Sequence, residues 1–540
     1  MSAPISIAGS LTFNHIAFPV NTSLLTITIA SSITATGDLT ISGAANLVLN
    51  TGAININGNI NLSNTGTSGG GSATINIIGT GNENLDGTAL LENQSRLPFV
   101  NINKPGGTLS LMGNISFANN VTYTAGTIAP GTSTCFVVNT MTFTGSFSVF
   151  NLTIPAISNT TVTVATGTVI SVTNTLDFGT ASNLIVINTG TIAVQGNIID
   201  NNTNVGGGGN GVILINGAGN QSITTTGIID QGRFPGVTIN KPSGTLLLPA
   251  MMTVRFDWTY VAGAIDATTN NSTVVFENTM NITGTHTLNN IMYNGQGNYV
   301  YTTAAGTTLT VTGTLTFMGA NNVDLNSGNI NLSGNMVLTN TSLGDGGSTV
   351  ITFVGGANQS ITSEPINQSS LPAVTINKTG GTLVFPALLT VRGSWTYIAG
   401  TYDVTTNNST IVFAGPLVGG ITMTGTHTLN NVTFEGNNNN VITVSTGTVL
   451  TVTGTLSTIG VNNVFINTPV LGATAIQAQG NININNTSLA GGGTGAILIN
   501  GTGAQAFTST ASAGLGQLPY ITIQKVSGTL TIDGCIFRNA

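Results

Sequence analysis

Charged residues are scarce in this sequence. Its 540 residues include 9 Lys and Arg and 16 Asp and Glu, so charged residues make up 5% of the chain, against about 25% in ordinary soluble domains. Nine basic residues cannot form a surface that neutralises phosphates, and the net charge is −7, which argues against nucleic-acid binding. A hydrophobic content of 40% argues equally against a disordered chain.

Cysteines and long apolar runs are also scarce. Two cysteines are too few for a disulfide framework or a cysteine-based zinc site. Thr, Asn, Ser or Gly interrupts every apolar stretch before it reaches about 18 residues, which excludes a membrane-spanning helix. The remaining composition is weakly acidic and rich in Thr, Asn, Gly, Val and Ile.

What the sequence does contain is repetition. One segment, typified by Thr-Ile-Asn-Lys followed by Gly-Thr-Leu, occurs four times, and its lysines lie 137, 137 and 147 residues apart at Lys104, Lys241, Lys378 and Lys525. A Gly-Thr-His-Thr-Leu marker and its variants give the same interval. The chain therefore reads as four copies of a unit of about 140 residues. The predicted copies are 9–144, 145–283, 284–424 and 425–540, of which the first and the last are incomplete.

A shorter rhythm within each copy predicts β-structure. In the segment 307–317, apolar residues occupy every second position, which defines one buried face of a strand. Such runs recur every 19 to 25 residues in the third copy and are bounded by Asn- and Gly-rich turns. No window of a dozen residues has helical periodicity, so the chain is predicted to be all-β.

Two all-β architectures could hold this repeat. Tandem β-sandwich domains are the alternative, and a parallel β-solenoid in which each coil stacks on the next is favoured. The rhythm crosses the copy boundaries without a linker, and identical uncharged side chains suit ladders along a stack, where like charges about 4.8 Å apart would repel. We therefore predict one continuous solenoid over residues 1–540, with about 23 coils and a length on the order of 110 Å.

A second motif carries a family resemblance. The pattern Gly-x-x-x-Gln-x-Ile/Phe-Thr occurs at 217–224, 355–362 and 501–508. Together with the lysine segments, it resembles bacterial β-helical surface proteins, namely filamentous-haemagglutinin-like adhesins and autotransporter passenger regions. The resemblance covers the whole chain and implies a β-helix at the cell surface, but it transfers no functional residue.

Titratable residues give no catalytic or metal-binding pattern. The lysines recur once per copy, which is typical of a scaffold position, and each is expected to end a strand or close a turn. His286 and His427 lie in alternating strands and are expected to face solvent or a neighbouring coil. Glu83 belongs to the densest acidic group but has no evident basic partner beyond Arg96. We predict no catalytic residue, no cofactor and no metal, and a polysaccharide lyase or hydrolase is the less favoured enzymatic alternative.

Two sets of residues are candidates for contact with carbohydrate. The pairs Trp258/Tyr260 and Trp395/Tyr397 could form a glycan-stacking platform, although a repeated filler of the core is the favoured interpretation. Asn-x-Ser/Thr sequons provide the second set, although Asn and Thr are common enough to generate them by chance. The candidate glycosylation sites are Asn114, Asn120, Asn151, Asn271, Asn408 and Asn431.

The sequence as a whole predicts a non-enzymatic extracellular or cell-surface protein. Neither end resembles a polar capping coil, so one chain is expected to stack head to tail on another and form filaments, as a fibre or an adhesin shaft. A glycan- or ice-binding surface protein is the alternative. An ice-binding face would need Thr-x-Thr in every coil, whereas the pattern, as at 161–163 and 451–453, is intermittent.

Overall fold

Alternating apolar and polar residues build the fold from very short strands. A computed structural model describes residues 4–155, 157–180, 182–342, 346–363, 369–415, 420–436 and 439–535. In the strand Ala53–Ile56, Ile54 and Ile56 are buried while Ala53 and Asn55 are partly exposed. The described residues contain no helix, and their strands lie mainly in parallel sheets that form a β-solenoid of about 23 turns. The predicted fold class is confirmed.

The chain divides into two compact units, residues 1–275 and 276–540. Each unit consists of coils whose strands pair in parallel with strands 17 to 28 residues further along the chain. The predicted single solenoid and its four copy boundaries stay predictions.

The strands of the first unit are Ile5–Ile7, Leu11–Phe13, Ile16–Pro19, Leu25–Ile29, Ser32–Ala35, Leu39–Gly43, Leu47–Asn50, Ala53–Ile56, Ile60–Asn64, Thr74–Ile77, Glu83–Gly87, Phe99–Phe117, Val121–Ala129, Thr134–Val137, Met141–Thr144, Phe147–Thr153, Thr160–Val164, Val169–Asp177, Ile185–Asn188, Thr191–Val194, Asn197–Asp200, Val212–Ile215, Gln221–Thr225, Arg233–Phe234, Gly236–Leu247, Met251–Val254 and Trp258–Asp266.

From the strand that contains the unit boundary onward, the strands are Thr273–Glu277, Met280–Thr283, His286–Leu288, Asn290–Gly295, Tyr299–Thr303, Thr308–Val311, Leu315–Gly319, Val323–Asn326, Asn329–Leu332, Met336–Leu338, Gly346–Gly347, Val350–Phe353, Gln359–Ser363, Ser370–Leu371, Ala373–Val384, Leu388–Val391, Trp395–Asp403, Thr410–Ala414, Ile421–Thr424, His427–Leu429, Asn431–Gly436, Asn440–Val444, Leu450–Val452, Leu456–Gly460, Val464–Asn467, Thr474–Ala478, Ile482–Asn486, Ala496–Ile499, Gln505–Ser509, Tyr520–Ile523 and Leu530–Asp533.

Like residues stack on like residues between coils. Asn76 Nδ2 donates a hydrogen bond to Asn55 Oδ1 (2.8 Å), and Asn101 Nδ2 donates to Asn76 Oδ1 (3.1 Å). Aliphatic residues pair in the same way on the inner side, where Ile54 lies in register with Ile75. The stack is therefore held by apolar packing inside each coil and by amide ladders outside.

The outward ladders continue over seven coils in each unit. One column of the first unit is formed by Thr12, Thr34, Asn55, Asn76, Asn101, Thr122 and Thr144. The matching column of the second unit is formed by Thr287, Thr310, Asn331, Thr352, Thr375, Thr396 and Thr424. Thr and Asn alone fill both columns, so no charged side chain stands opposite another at these positions.

Candidate functional site

Lys241 holds the loop of the preceding coil. Its side chain is buried, and Nζ donates hydrogen bonds to the carbonyl oxygens of Gly217 (2.8 Å) and Gly219 (2.9 Å) and to Gln221 Oε1 (2.6 Å). Three oxygen partners match the three N–H groups of an ammonium ion. The two repeated motifs of the sequence, one ending in Lys and the other containing Gln, are thus the two halves of a single contact.

The glutamine extends this contact to a third coil. Gln221 Nε2 donates to the carbonyl oxygens of Val194 (3.1 Å) and Gly196 (2.5 Å), which belong to the coil before its own. One lysine and one glutamine therefore join three successive coils through main-chain oxygens. We name this arrangement the lysine clamp.

The clamp recurs in the second unit. Lys378 Nζ donates to the carbonyl oxygen of Ala357 (2.9 Å) and to Gln359 Oε1 (2.5 Å). The half-buried Lys525 makes the same set of contacts with Gly501, Gly503 and Gln505. Burial lowers the pKa of Lys104, Lys241 and Lys378, because a low-dielectric surrounding disfavours the charged form.

The first clamp contains a glutamate where the others contain glutamine. Lys104 Nζ donates to the carbonyl oxygens of Gly79 (2.9 Å) and Gly81 (3.1 Å) and forms an ion pair with Glu83 Oε2. Both side chains are almost fully buried. The expectation that Glu83 has no basic partner beyond Arg96 is therefore wrong. The partner is Lys104, the repeated lysine of the next coil. It lies 21 residues further along the chain, so the pair is not evident from the sequence.

The two repeated histidines lie in the interior. Nδ1 of His427 must carry the proton, because it lies 2.5 Å from the carbonyl oxygen of Gly425, which only accepts. His286 makes the same contact with Gly284 at 2.7 Å. The ring of His427 stacks on Trp395 of a neighbouring coil, with centroids 6.2 Å apart. Of the two expected surroundings, the neighbouring coil is observed and solvent is not.

The proposed glycan-stacking residues divide by burial. Trp258 and Trp395 are fully buried and present no ring face to solvent, so the structure places them in the core, where they cannot form a stacking platform. Tyr260 and Tyr397 are half-buried, and their hydroxyl groups donate to the carbonyl oxygens of Gly263 (2.8 Å) and Gly400 (2.9 Å). Only the tyrosine edges of this column remain accessible to a ligand.

The six candidate glycosylation sites also divide. Asn271 and Asn408 are exposed and adopt positive φ angles at the tips of turns. The other four are half-buried, and the side chain of each is hydrogen-bonded to a neighbouring coil: Asn114, Asn120, Asn151 and Asn431. Asn408 Oδ1 also accepts hydrogen bonds from a neighbouring coil, from Nδ2 of Asn430 (2.7 Å) and of Asn431 (3.2 Å). Exposure, and not the absence of hydrogen bonds, therefore separates Asn271 and Asn408 from the other four.

Aspartates fix the turns that carry these two asparagines. Asp403 Oδ1 accepts hydrogen bonds from the amides of Thr405 (2.8 Å) and Thr406 (3.0 Å), and Asp266 binds its turn in the same way. The threonine hydroxyl and amide donors lower the pKa of Asp266 to about 2 and also lower that of Asp403. The two carboxylates therefore stabilise their turns by accepting hydrogen bonds from main-chain amides.

Sequence reasoning missed two buried carboxyl groups, those of Asp200 and Glu277. Asp200 is buried, and burial, with a smaller contribution from the charge of Asp177, raises its pKa to about 7. The signal that could have found it is an acidic residue at an inward position of an alternating run, since Ile198 of the same strand is also buried.

Among the residues that the structure describes, no three His, Cys, Asp or Glu side chains come together as a metal-binding group. The described part of the chain also lacks any helix of the length and apolar character needed to cross a membrane. Compared with known proteins, the chain matches no family model, no curated protein and no solved structure. The resemblance to adhesin-like β-helical proteins stays a prediction.

Proposed function

We propose that this protein is a non-enzymatic structural β-solenoid that assembles end to end into extracellular or cell-surface filaments. The observation that carries the proposal is the use made of its few ionisable groups. The repeated lysines bind loop carbonyl oxygens, the repeated histidines bind main-chain carbonyls, and the repeated aspartates cap turns. Groups that an enzyme would present to a substrate here bind the main chain: the lysines bind the preceding coil, and the histidines and aspartates bind residues two or three positions away in their own coil.

End-to-end contact is supported by the terminal coils of the described chain. Leu11 and Phe13 pair in register with the buried residues Ile33 and Ala35, yet they are 41% and 44% exposed. At the other end, Ile532 pairs with the buried Phe507 and is 41% exposed. Within the described residues, no further coil covers these core-type side chains or the outer edges of their strands, and another parallel coil would cover both.

Negative-stain electron microscopy of the purified chain tests this proposal. Filaments whose length increases with protein concentration are expected, since a head-to-tail contact does not close on itself. Uniform single particles over the whole accessible concentration range would overturn the assembly, and detection of a turned-over polysaccharide substrate would overturn the non-enzymatic assignment.

A surface location and a glycan coat form part of the same proposal. The exposed turn positions of Asn271 and Asn408 support it, because a glycan on Nδ2 needs a side chain that projects into solvent. Mass spectrometry of the protein from its native source is expected to find added hexose mass on peptides containing these two residues. Glycan mass confined to the ladder residues Asn151 or Asn431 would contradict it.

Binding to a regular surface such as ice is the second candidate. It is favoured by the single columns of Thr and Asn that run through seven coils, whereas the Thr-x-Thr pattern stays intermittent. A thermal hysteresis measurement tests it. A freezing-point depression that disappears when Thr352 is replaced by Lys would favour ice binding over the structural role.

A further inference from the structure

Asp200 occupies a core position that is otherwise aliphatic. Four loop asparagines make the same two hydrogen bonds and so identify equivalent positions in four coils. The Nδ2 group of each donates to a carbonyl oxygen of the preceding coil, and its Oδ1 accepts from the amide two residues later. These asparagines are Asn64, Asn202, Asn340 and Asn486. The residue two positions before them is Leu62, Asp200, Leu338 or Ile484, and all four are buried. A carboxyl group thus replaces an aliphatic side chain once.

A small cavity lies beside this carboxyl group. Its volume is about 20 Å³, which is room for one water molecule, and Asp200, Asn202, Gly232 and Arg233 contribute to its lining. Asp200 Oδ1 accepts a hydrogen bond from the amide of Asn202 (3.1 Å). Oδ2 faces Gly232, since a Cβ added there would lie 2.7 Å from it. The loop 226–232 therefore closes directly over the carboxyl group.

The charged groups around Asp200 do not compensate an ionised carboxylate. Asp177, on the preceding coil, has the same sign of charge and disfavours ionisation. Arg233 follows the loop, and its Nη2 lies 3.8 Å from Asp230 Oδ1, so a second carboxylate shares its charge. Burial makes the neutral acid the favoured form up to about pH 7.

We propose that protonation of Asp200 controls how firmly the loop 226–232 closes over the core of the first unit. A neutral carboxyl group can occupy the aliphatic position and its cavity, whereas an ionised one draws water into the core and opens the loop. The direction of the pH dependence follows from the different proton affinities of the closed and open states. The closed state binds the proton more tightly than the open state does, so closure is firmest in acid and weakens as the pH rises toward about 7.

Hydrogen exchange followed by mass spectrometry tests the proposal on the full chain. Peptides within 197–233 are compared with peptides within 60–96, which hold Leu62 at the equivalent position and serve as an internal control. After correction for intrinsic exchange, the opening constant of the 197–233 peptides is expected to rise by nearly tenfold per pH unit and to level off near pH 7, or about fiftyfold from about pH 5 to about pH 7. The control peptides should change far less.

Variants separate Asp200 from its neighbours. Asp200→Leu and Asp200→Asn should both remove the pH dependence, and the asparagine variant keeps the measurement possible if the leucine variant does not fold. Asp177→Asn should leave most of the dependence in place. Equal pH profiles for the two sets of peptides, or a dependence that persists in Asp200→Asn, would overturn the proposal.

Discussion

At the scale of single residues, buried charge is the chemistry that needs explanation in a chain so poor in charge. An unpaired ammonium group in a core costs several kcal/mol, and the lysines avoid this cost by binding two or three oxygens of the preceding coil. The clamp makes a turn of one coil depend on a strand of the next. Its loss should therefore loosen both.

Lys241→Met is expected to destabilise the first unit by on the order of 3 kcal/mol, because two carbonyl oxygens and Gln221 Oε1 lose their donor in a buried site. Lys525→Met is the matched control. Its clamp is half-exposed, so water can replace the ammonium group and the loss should be about 1 kcal/mol or less. Urea unfolding of each variant measures the difference. Equal losses in the free energy of unfolding would show that burial does not determine how much the clamp stabilises the chain.

Glu83→Gln is expected to change the free energy of unfolding by less than about 1 kcal/mol, because glutamine fills the same place in the other clamps. Lys104→Met should cost about 3–5 kcal/mol, since it leaves Glu83 buried without a cation. The double variant should recover part of that loss. If the double variant is no more stable than Lys104→Met, glutamine and glutamate are not interchangeable at this position of the clamp.

The second unit is expected to lose stability as the pH falls below about 6.5. Burial lowers the pKa of His286 and His427 in the folded chain, whereas the unfolded chain binds protons near the ordinary value of 6.5. Replacing both histidines by Phe, the residue at the corresponding Phe147, should flatten the profile. Unfolding midpoints measured from about pH 5 to about pH 8 decide this. A wild-type profile unchanged by the double substitution would contradict it.

At the scale of the element, the strand is too short to be stable alone and depends on its ladders. A strand of four residues such as Ala53–Ile56 gains its stability from the coils above and below it. The asparagine column adds side-chain hydrogen bonds at each step. Side-chain chemistry in a column should therefore matter more than β-propensity.

Asn76→Asp tests the ladder directly. The carboxylate cannot donate to Asn55 Oδ1, so we expect a loss of about 1–2 kcal/mol at neutral pH, with partial recovery in acid. Asn76→Thr is the control, because Thr34 and Thr122 occupy the same column and the change should cost less than about 0.5 kcal/mol. Thermal unfolding measures both. Equal losses for Asp and Thr would mean that a hydrogen-bond donor at this position does not stabilise the column.

The strands and the stack were predictable from sequence, whereas the contacts between coils were only partly so. The alternation of 307–317 fixes which residues point inward, and the coil rhythm predicts parallel stacking. The lysine and glutamine motifs were both visible as repeats, but their pairing depends on which loop faces which strand, and spacing alone does not give that. Asp200 escaped notice because repeat analysis emphasises what recurs, and its carboxyl group is an exception.

The burial of the Trp and Tyr pairs could be predicted from the sequence only in part. Alternation places Trp395 and Tyr397 on one face, but it does not say whether that face points into the core. The neighbouring coils decide it, because His427 and Phe413 pack against the indole ring. Both tryptophans are fully buried and have no exposed ring face on which a sugar could stack.

At the scale of the whole molecule, the proposed filament requires that terminal coils of different chains stack as the coils within one chain do. Leu11, Phe13 and Ile532 are core-type residues that no coil within the described residues covers, and in the proposed assembly a second copy of the chain would cover them. A single charge introduced at such a position should block assembly while leaving each unit folded, since it lies outside the packed core.

Sedimentation velocity over a wide range of protein concentration tests this claim most directly. The wild-type chain is expected to form larger species as concentration rises, whereas Phe13→Lys and Ile532→Lys should each stay at the mass of one chain. Leu91→Lys, which charges an exposed leucine several coils away from both terminal coils, should assemble like the wild type. A wild-type chain that sediments as a monomer at every concentration, or terminal variants that assemble as it does, would contradict the account.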